Sequence, residues 1–265
     1  MIKIYLQTEV KRSEQEKELT ENERVAAYIE SLNGGNSGFL AELEHEAVMD
    51  RIPIIRPQVQ SLLRTIIAGL KPQSILEVGT AVGFSAILMA QCAPQDCRIT
   101  TIENYGKRIP AARENFKRSG LADRITLIEG DAADILRELR SGETKTGKSS
   151  DEVNNTQSDS IRIIETSETI LTDRLCYDLI FMDAAKGQYL NFFEDVMALL
   201  RAGGILVSDN VLQDGDIIQS RFAVRRRDRT IHARMREYLY VLTHDERLST
   251  TILPMGDGVT VSVRT

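Results

Sequence analysis

Short apolar strands alternate with helices along most of this 265-residue chain, and this alternation limits the possible folds more than any other feature. The predicted strands cover residues 74–78, 98–103, 125–129, 177–182 and 204–208. Helical patterns follow them at residues 84–91, 107–119, 132–140, 189–200 and 230–243, and three more precede the first strand at residues 23–32, 39–49 and 58–69. Because strands joined through helices run parallel and are covered on both faces, the sequence predicts a doubly wound α/β sheet.

The end of the chain departs from this alternation. Residues 250–254 and 259–263 are predicted strands, and only the four residues of the sequence MGDG separate them. A connection that short joins antiparallel strands. The sequence therefore predicts seven strands with the last one antiparallel, which a plain dinucleotide-binding domain would not have.

Two polar stretches lie outside this pattern. Residues 1–22 are highly charged and weakly patterned, and we interpret them as a flexible N-terminal extension before one domain at residues 23–265. Residues 141–173 are rich in Gly, Ser, Thr, Asn and charged side chains, a composition that cannot form a core. We predict that they form an insertion on the surface of the sheet, between a helix and the fourth strand.

Composition excludes several classes of protein. No apolar run approaches the ~20 residues of a membrane span, and the N-terminus lacks the apolar segment of a signal peptide. The three cysteines, an odd number without a CxxC pair, favour reduced thiols and a cytoplasmic location. The net charge of −6 argues against nucleic-acid binding by the whole surface, although a local basic patch exists.

Polar side chains follow three successive strands. Glu77 ends the first strand, and the glycine loop from Gly79 to Gly83 then opens a helix, where free N–H groups can meet a ligand. Glu103 ends the second strand and suits the two hydroxyls of a ribose, while Asp131 follows the third strand and can face an adenine. Each residue alone could be a helix cap or a loop residue, but together they predict a nucleotide-like ligand. NAD is disfavoured because the GxGxxG pattern is absent.

A second polar group follows the fourth and fifth strands. Asp183 ends the fourth strand, and Asp209 and Asn210 end the fifth. Ligands of open α/β sheets bind beyond the carboxyl ends of the strands, so these side chains are expected to converge on the same crevice. Two carboxylates and an amide oxygen form a hard donor set that suits Mg²⁺. A helix cap at Asp183 and a turn at Asp209 and Asn210 are the alternatives.

Several segments together resemble a known family. The sequences ILEVGTAVGFSA, TIE, GDA, YDLIFMDAAKGQY, ILVSDNVL and GDGV look like those of cation-dependent O-methyltransferases of the caffeoyl-CoA and catechol type. The resemblance covers residues 23–264 apart from the insertion. Within the family, the chain is most similar to the bacterial branch that converts 5-hydroxyuridine to 5-methoxyuridine at the tRNA wobble position.

The resemblance implies a Rossmann-like class I methyltransferase sheet, S-adenosylmethionine as methyl donor, Mg²⁺ or another divalent cation, and a homodimer. It implies metal binding by Asp183, Asp209 and Asn210. Residue positions and resemblance together give the expected cofactor contacts, which are Ile55, Glu77, Gly79, Ser85, Glu103, Asp131, Ala132 and Asp183. Asp183 and Lys186 are the candidate catalytic residues, with Lys186 assisting deprotonation or holding an anion; a solvated surface lysine is the alternative.

An arginine run lies soon after the metal motif. It comprises Arg221, Arg225, Arg226, Arg227, Arg229, Arg234 and Arg236. Arginines near a helix N-terminus oppose the helix dipole, and arginine suits phosphate contacts. We therefore predict RNA binding by Arg225, Arg226, Arg227 and Arg229, with a solvated face or a dimer contact as the alternative. A catechol or phenol methyltransferase, and a noncatalytic RNA-binding or interaction protein, remain the competing functions.

Overall fold

The computed structural model describes residues 21–142, 176–220 and 224–265. The described residues divide into two compact units, one up to Gly35 and one from Asn36 onward. In the first unit, helix α1 spans Glu21–Ser31. The predicted extension lies outside the described residues up to residue 20, and the predicted insertion lies outside them from residue 143 onward.

The second unit contains the predicted α/β alternation. Its helices are α2 (Gly38–Met49), α3 (Pro57–Leu70), α4 (Phe84–Cys92), α5 (Ile109–Arg118), α6 (Ala132–Ser141), α7 (Tyr189–Leu199) and α8 (Arg229–His244). Its strands are β1 (Ser74–Val78), β2 (Arg98–Glu103), β3 (Ile125–Glu129), β4 (Tyr177–Met182), β5 (Leu200–Ser208), β6 (Leu248–Leu253) and β7 (Val259–Arg264). Short 3₁₀ turns cover Lys186–Gln188 and Gln213–Ile218.

The seven strands form one sheet in the order β3-β2-β1-β4-β5-β7-β6. Strands β1 to β5 pair in parallel, and β7 pairs antiparallel with both β5 and β6. The predicted fold class and the antiparallel last strand are therefore confirmed. The strand order reverses between β1 and β4, and such a reversal opens a crevice at the carboxyl ends of the two strands.

The side chains of each strand alternate between the two faces of the sheet, so both faces carry apolar residues, and helices cover both. On β1, Ile75 packs into the core formed with α2, α3, α4 and α5, whereas Leu76 and Val78 pack into the core formed with α6, α7 and α8. The described residues contain no helix that is both long and apolar enough to cross a membrane.

Strand β5 begins earlier than the sequence predicts. It follows α7 without a loop and starts at Leu200, whereas the prediction places its start at residue 204. Gly203 adopts a φ of +73°, and a Cβ on Gly204 would lie 2.8 Å from Leu200 Cδ1. The two glycines allow the strand to continue through this irregular stretch. The apolar pattern of the sequence does not reveal this early start.

Candidate functional site

A cavity of about 860 Å³ lies at the carboxyl ends of the parallel strands. Most of the residues predicted for the cofactor and the metal line it: Ile55, Gly79, Ser85, Glu103, Asp131, Ala132, Asp183, Lys186, Asp209 and Asn210. The structure therefore brings together residues that are as far apart in sequence as positions 55 and 210. Glu77 is the exception within the predicted cofactor set.

Backbone hydrogen bonds continue from the sheet into the loops of the cavity. Asp183 N donates to Val78 O over 2.9 Å, and Asp209 N donates to Met182 O over 3.0 Å. The buried Tyr189 hydroxyl lies 3.1 Å from the carbonyl oxygens of both Met182 and Asp209. These bonds fix the two aspartates at neighbouring strand ends, so the geometry of the acidic group is set by the sheet.

The glycine loop after β1 depends on close backbone contacts. Gly79 has a φ of +105°, and a Cβ there would lie 2.2 Å from the Asp183 carbonyl oxygen. Gly83 precedes α4 with a φ of +86°, and its Cβ would lie 2.5 Å from the Phe116 ring. Both positions exclude larger residues, because of the space and because of the left-handed backbone. The loop is thus shaped to bring the start of α4 to the cavity wall.

Glu77 is not among the residues that line the cavity, so its predicted contact with a ligand stays a prediction. The side chain is fully buried, and the Thr101 hydroxyl lies 2.5 Å from Oε2 as a hydrogen-bond donor. Oε1 is buried without a hydrogen-bond partner of standard geometry among the described residues, although the Ser85 side chain is close enough to lower the pKa of the Glu77 carboxyl. Because β1 is covered on both faces, the side chain of Glu77 turns into the protein. Burial raises its pKa to about 7.

Replacing Glu77 by Gln is expected to stabilise the protein at pH 8 and to change little at pH 5. The folded pKa of about 7 exceeds the ordinary value of 4.5, so folding loses stability as pH rises from about 4.5 to 7. That difference corresponds to roughly 3 kcal/mol. Urea unfolding at both pH values measures the effect. Equal free energies of unfolding for the two proteins at pH 8 would contradict the buried-charge account.

Glu103 is anchored at the cavity wall by the backbone. Its Oε2 accepts from Ala81 N at 2.8 Å, and its Oε1 accepts from Asn104 N at 3.0 Å and Tyr105 N at 2.8 Å. A carboxylate offers about four lone-pair sites, so capacity for a further hydroxyl donor remains. Asp131 has the helix-cap role that the sequence left open, since its Oδ1 accepts from Ala133 N at 2.9 Å.

The metal-type donors form an acidic group with little compensating charge. Burial raises the pKa of Asp183 to about 6 and that of Asp209 to about 7, and the Asp183 charge adds to the effect on Asp209. The charge of Lys186 opposes both shifts. Among the described residues, no group of three His, Cys, Asp or Glu side chains could hold a metal ion. The predicted set contains only two such side chains, Asp183 and Asp209, with the Asn210 amide as its third member.

The arginine run divides into two groups, and Arg221 lies outside the described residues. Three arginines bind backbone carbonyls. Arg229 Nε donates to Val224 O over 3.2 Å, Arg234 Nη1 to Gly187 O over 2.8 Å, and Arg236 Nη1 to Ile217 O over 3.3 Å.

The predicted RNA contacts Arg225, Arg226 and Arg227 are exposed, and Arg229 is half-buried. Since Gly187 lies between cavity-lining residues, α8 is in contact with the cavity wall.

Sequence reasoning missed several residues of the cavity wall. Arg56 Nη2 lies 2.5 Å from Asp257 Oδ1, and Asn210 Nδ2 donates to Asp257 Oδ2 over 3.3 Å. Asp257 belongs to the GDGV segment, which contributes to the family resemblance but gave no reason to assign this residue a role. Tyr105 and Arg108 also line the cavity, with the guanidinium 5.6 Å from the ring centre. Their position shortly after Glu103 in the sequence was the signal that could have predicted their place in the cavity wall.

Comparison with known proteins extends the geometric evidence. A family model described as O-methyltransferase matches residues 30–153 and 144–265. The catechol O-methyltransferase of Niastella koreensis is 28% identical over 198 residues, which cover 74% of this chain and 76% of that protein. Caffeoyl-CoA O-methyltransferase 1 of Arabidopsis thaliana is 26% identical over 207 residues, covering 76% and 68%.

A solved structure supports the same assignment. The SAH-bound methyltransferase PaMTH1 of Podospora anserina matches with a TM-score of 0.69 and 26% identity, over 93% of this chain and 97% of that one. The sheet order and antiparallel β7 agree with the methyltransferase fold that the sequence predicts. The family match spans most of the chain and confirms the resemblance noted in its motifs. The chain therefore belongs to the O-methyltransferase family, in its catechol and caffeoyl-CoA type.

Proposed function

We propose that this protein is an S-adenosylmethionine-dependent and divalent-cation-dependent O-methyltransferase that methylates 5-hydroxyuridine at the wobble position of tRNA. One observation carries the proposal. The residues predicted for the cofactor and those predicted for the metal line the same cavity, and α8 contacts the wall of that cavity. The proposal rests on family membership for the reaction type. It rests on the placement of α8 for the substrate.

The cavity wall fits a nucleoside cofactor. Glu103 lines the cavity and retains acceptor capacity for one ribose hydroxyl, while Asp131 and Ala132 line the wall at the start of α6. On the other side of the glycine loop, Ser85 lies in the first turn of α4, where free N–H groups favour an anionic group such as a carboxylate. SAH, which the Podospora relative binds, is what S-adenosylmethionine becomes after methyl transfer.

The acidic group fits a divalent cation. Asp183, Asp209 and the amide oxygen of Asn210 are hard donors that line the cavity, and the buried Asp209 carboxylate is costly there without a compensating positive charge. When bound, Mg²⁺ would lower the pKa of a substrate hydroxyl and fix its position. Lys186 lines the same cavity, and we propose that its charge holds the oxygen from which the proton departs. The chain's remaining contribution is alignment of the two reactants.

The substrate assignment follows from the chemistry of the site and from its surroundings. Catechol and 5-hydroxyuracil both present vicinal oxygens, so the acidic group alone does not separate them. Arg225, Arg226 and Arg227 are exposed in the turn before α8, and Arg234 of α8 contacts the turn that carries Lys186. A polyanionic substrate could use these exposed arginines for phosphate contacts, whereas a small phenol has no use for them.

Replacing Arg225, Arg226 and Arg227 together by Gln is expected to weaken tRNA binding and to reduce its salt dependence. Three lost phosphate contacts would lower the slope of log K against log salt by about 2 to 3. Filter binding from 50 to 300 mM KCl measures the slope. As a matched control, Arg98, Lys117 and Arg137 are exposed on β2, α5 and α6, outside the arginine run, and their triple Gln variant should keep the slope. Equal slopes in the two variants would refute the RNA assignment of the run.

Catechol methylation is the second candidate, and the relative from Niastella koreensis favours it. For that function the same acidic group would face a phenol, and the arginine run would be a solvated face or a dimer contact. We further propose a cytoplasmic homodimer, in keeping with the free cysteines of the described chain. Light scattering on the purified protein tests the dimer, since a monomeric mass would exclude it.

A further inference from the structure

We propose that Asp257 is a positioning residue that sets the orientation of the Asn210 amide, and that Arg56 holds Asp257 in the required conformation. The inference rests on the proposed function, because it concerns the amide assigned to the cation. Asn210 Nδ2 lies 3.3 Å from Asp257 Oδ2, and Arg56 Nη2 lies 2.5 Å from Asp257 Oδ1. All three residues line the cavity.

The orientation of an asparagine amide decides what it offers to a cation. One end of the amide is an oxygen acceptor, and the other is an NH₂ donor that cannot bind a positive ion. An ionised carboxylate only accepts hydrogen bonds, so the amide end facing Asp257 is the NH₂ group. The Asn210 oxygen is thereby directed away from Asp257 and stays available to a cation. A neighbour with its own donor would permit the reversed, unproductive amide.

The backbone places Asp257 independently of its side chain. In the turn between β6 and β7, Asp257 O accepts from Leu212 N and Gly258 O accepts from Val211 N, both over 2.9 Å. Gly258 has a φ of +87°, and a Cβ there would lie 2.2 Å from Leu212 Cγ. The turn is therefore fastened to the segment after Asn210 by groups that a side-chain replacement at Asp257 leaves intact. A variant at Asp257 is expected to fold.

Arg56 reaches Asp257 from the opposite end of the sequence. It stands at the N-cap position of α3 without a side-chain capping hydrogen bond, and Pro57 occupies the first helical position. A Cβ on Gly256 would lie 3.3 Å from Arg56 Cδ, so the glycine leaves room for the arginine stem. The Arg56 side chain is 52% exposed and that of Asp257 17%. Pairs with an exposed partner contribute little stability, typically ~0–1 kcal/mol, so orientation is the effect that we assign to this one.

The test measures Mn²⁺ binding to the full-length protein by electron paramagnetic resonance, in the presence of SAH. Asp257→Asn should raise the Kd for Mn²⁺ by about 10- to 100-fold, because the new amide can present a donor to Asn210. Its melting temperature should stay within ~2 °C of that of the unaltered protein. An unchanged Kd in this variant would overturn the inference.

Arg56→Gln separates orientation from simple charge. Removing a positive charge near the acidic group should tighten cation binding if only the Coulomb energy matters. The positioning role predicts the opposite, a Kd at least about 3-fold weaker. Tighter binding in Arg56→Gln would therefore refute the role assigned to Arg56. The matched controls are Asp134→Asn and Arg137→Gln, which break an exposed ion pair of equal length away from the cavity and should leave the Kd unchanged.

The unaltered protein separates this inference from the proposed function. If it binds Mn²⁺ and both variants bind equally well, the metal assignment stands and the positioning role is wrong. If the unaltered protein binds no Mn²⁺, the metal part of the proposed function is wrong, and the role of Asp257 is overturned with it.

Discussion

Asp209→Asn is expected to lower methyl transfer by about 10³-fold or more, because the proposed function makes Asp209 a carboxylate ligand of the cation, and such a ligand is worth several kcal/mol in the transition state. The substitution preserves size, and the new side chain can still accept the 2.7 Å hydrogen bond from Asn210 N. The loss is therefore expected in the rate and in Mn²⁺ affinity, with the fold retained. Activity within tenfold of the unaltered protein would contradict the metal assignment of Asp209.

The same variant is expected to be more stable than the unaltered protein at pH 8 in the presence of a chelator. The folded pKa of Asp209 is about 7, against an ordinary value of 3.8, so the charged form is penalised in the fold. Stability is lost as pH rises from about 4 to 7, and Asn removes this loss, worth roughly 2–4 kcal/mol. Asp123→Asn, at an exposed position, serves as control and should change neither activity nor stability.

Gly79→Ala is expected to lower the free energy of unfolding by roughly 3 kcal/mol or more, and the melting temperature by about 10 °C. The added Cβ would lie 2.2 Å from the Asp183 carbonyl oxygen, and φ at this position is +105°. The loop or the end of β4 must move, and movement at β4 displaces Asp183 itself. Catalytic activity should therefore fall together with stability.

Gly106→Ala is the matched control for this substitution. It makes the same chemical change in a turn after Glu103, where φ is not in the left-handed region and no atom lies within 4 Å of the added Cβ. Its effect should lie between about 0 and 1 kcal/mol of stabilisation. Thermal unfolding of the two variants decides the point, since similar melting temperatures would show that the contact with Asp183 is unimportant.

The sequence was sufficient for the sheet and for most of the cavity wall, for a physical reason. The carboxyl ends of parallel strands lie at one edge of the sheet. The proximity of Glu103, Asp183 and Asp209 could therefore be predicted from the sequence. The terminal hairpin was likewise predictable, because a four-residue connection leaves only the antiparallel arrangement.

The remaining features depend on tertiary packing. Glu77 lies near the end of its strand like Glu103, yet its side chain is buried beside Thr101 and does not line the cavity. Position at a strand end alone does not distinguish the two residues. The ion pair of Arg56 with Asp257 joins positions 201 residues apart, and no local sequence pattern predicts it. The early start of β5 depends on two glycines whose backbone conformation the apolar pattern does not encode.

The most direct measurement of the proposed function is methyl transfer by the purified protein from labelled S-adenosylmethionine in the presence of Mg²⁺. The substrates are tRNA carrying 5-hydroxyuridine, the same tRNA with unmodified uridine, and a panel of catechols. The account predicts label in the 5-hydroxyuridine tRNA alone, and its loss when EDTA is added. Label in catechols but not in tRNA would contradict it, as would transfer to tRNA that EDTA leaves unchanged.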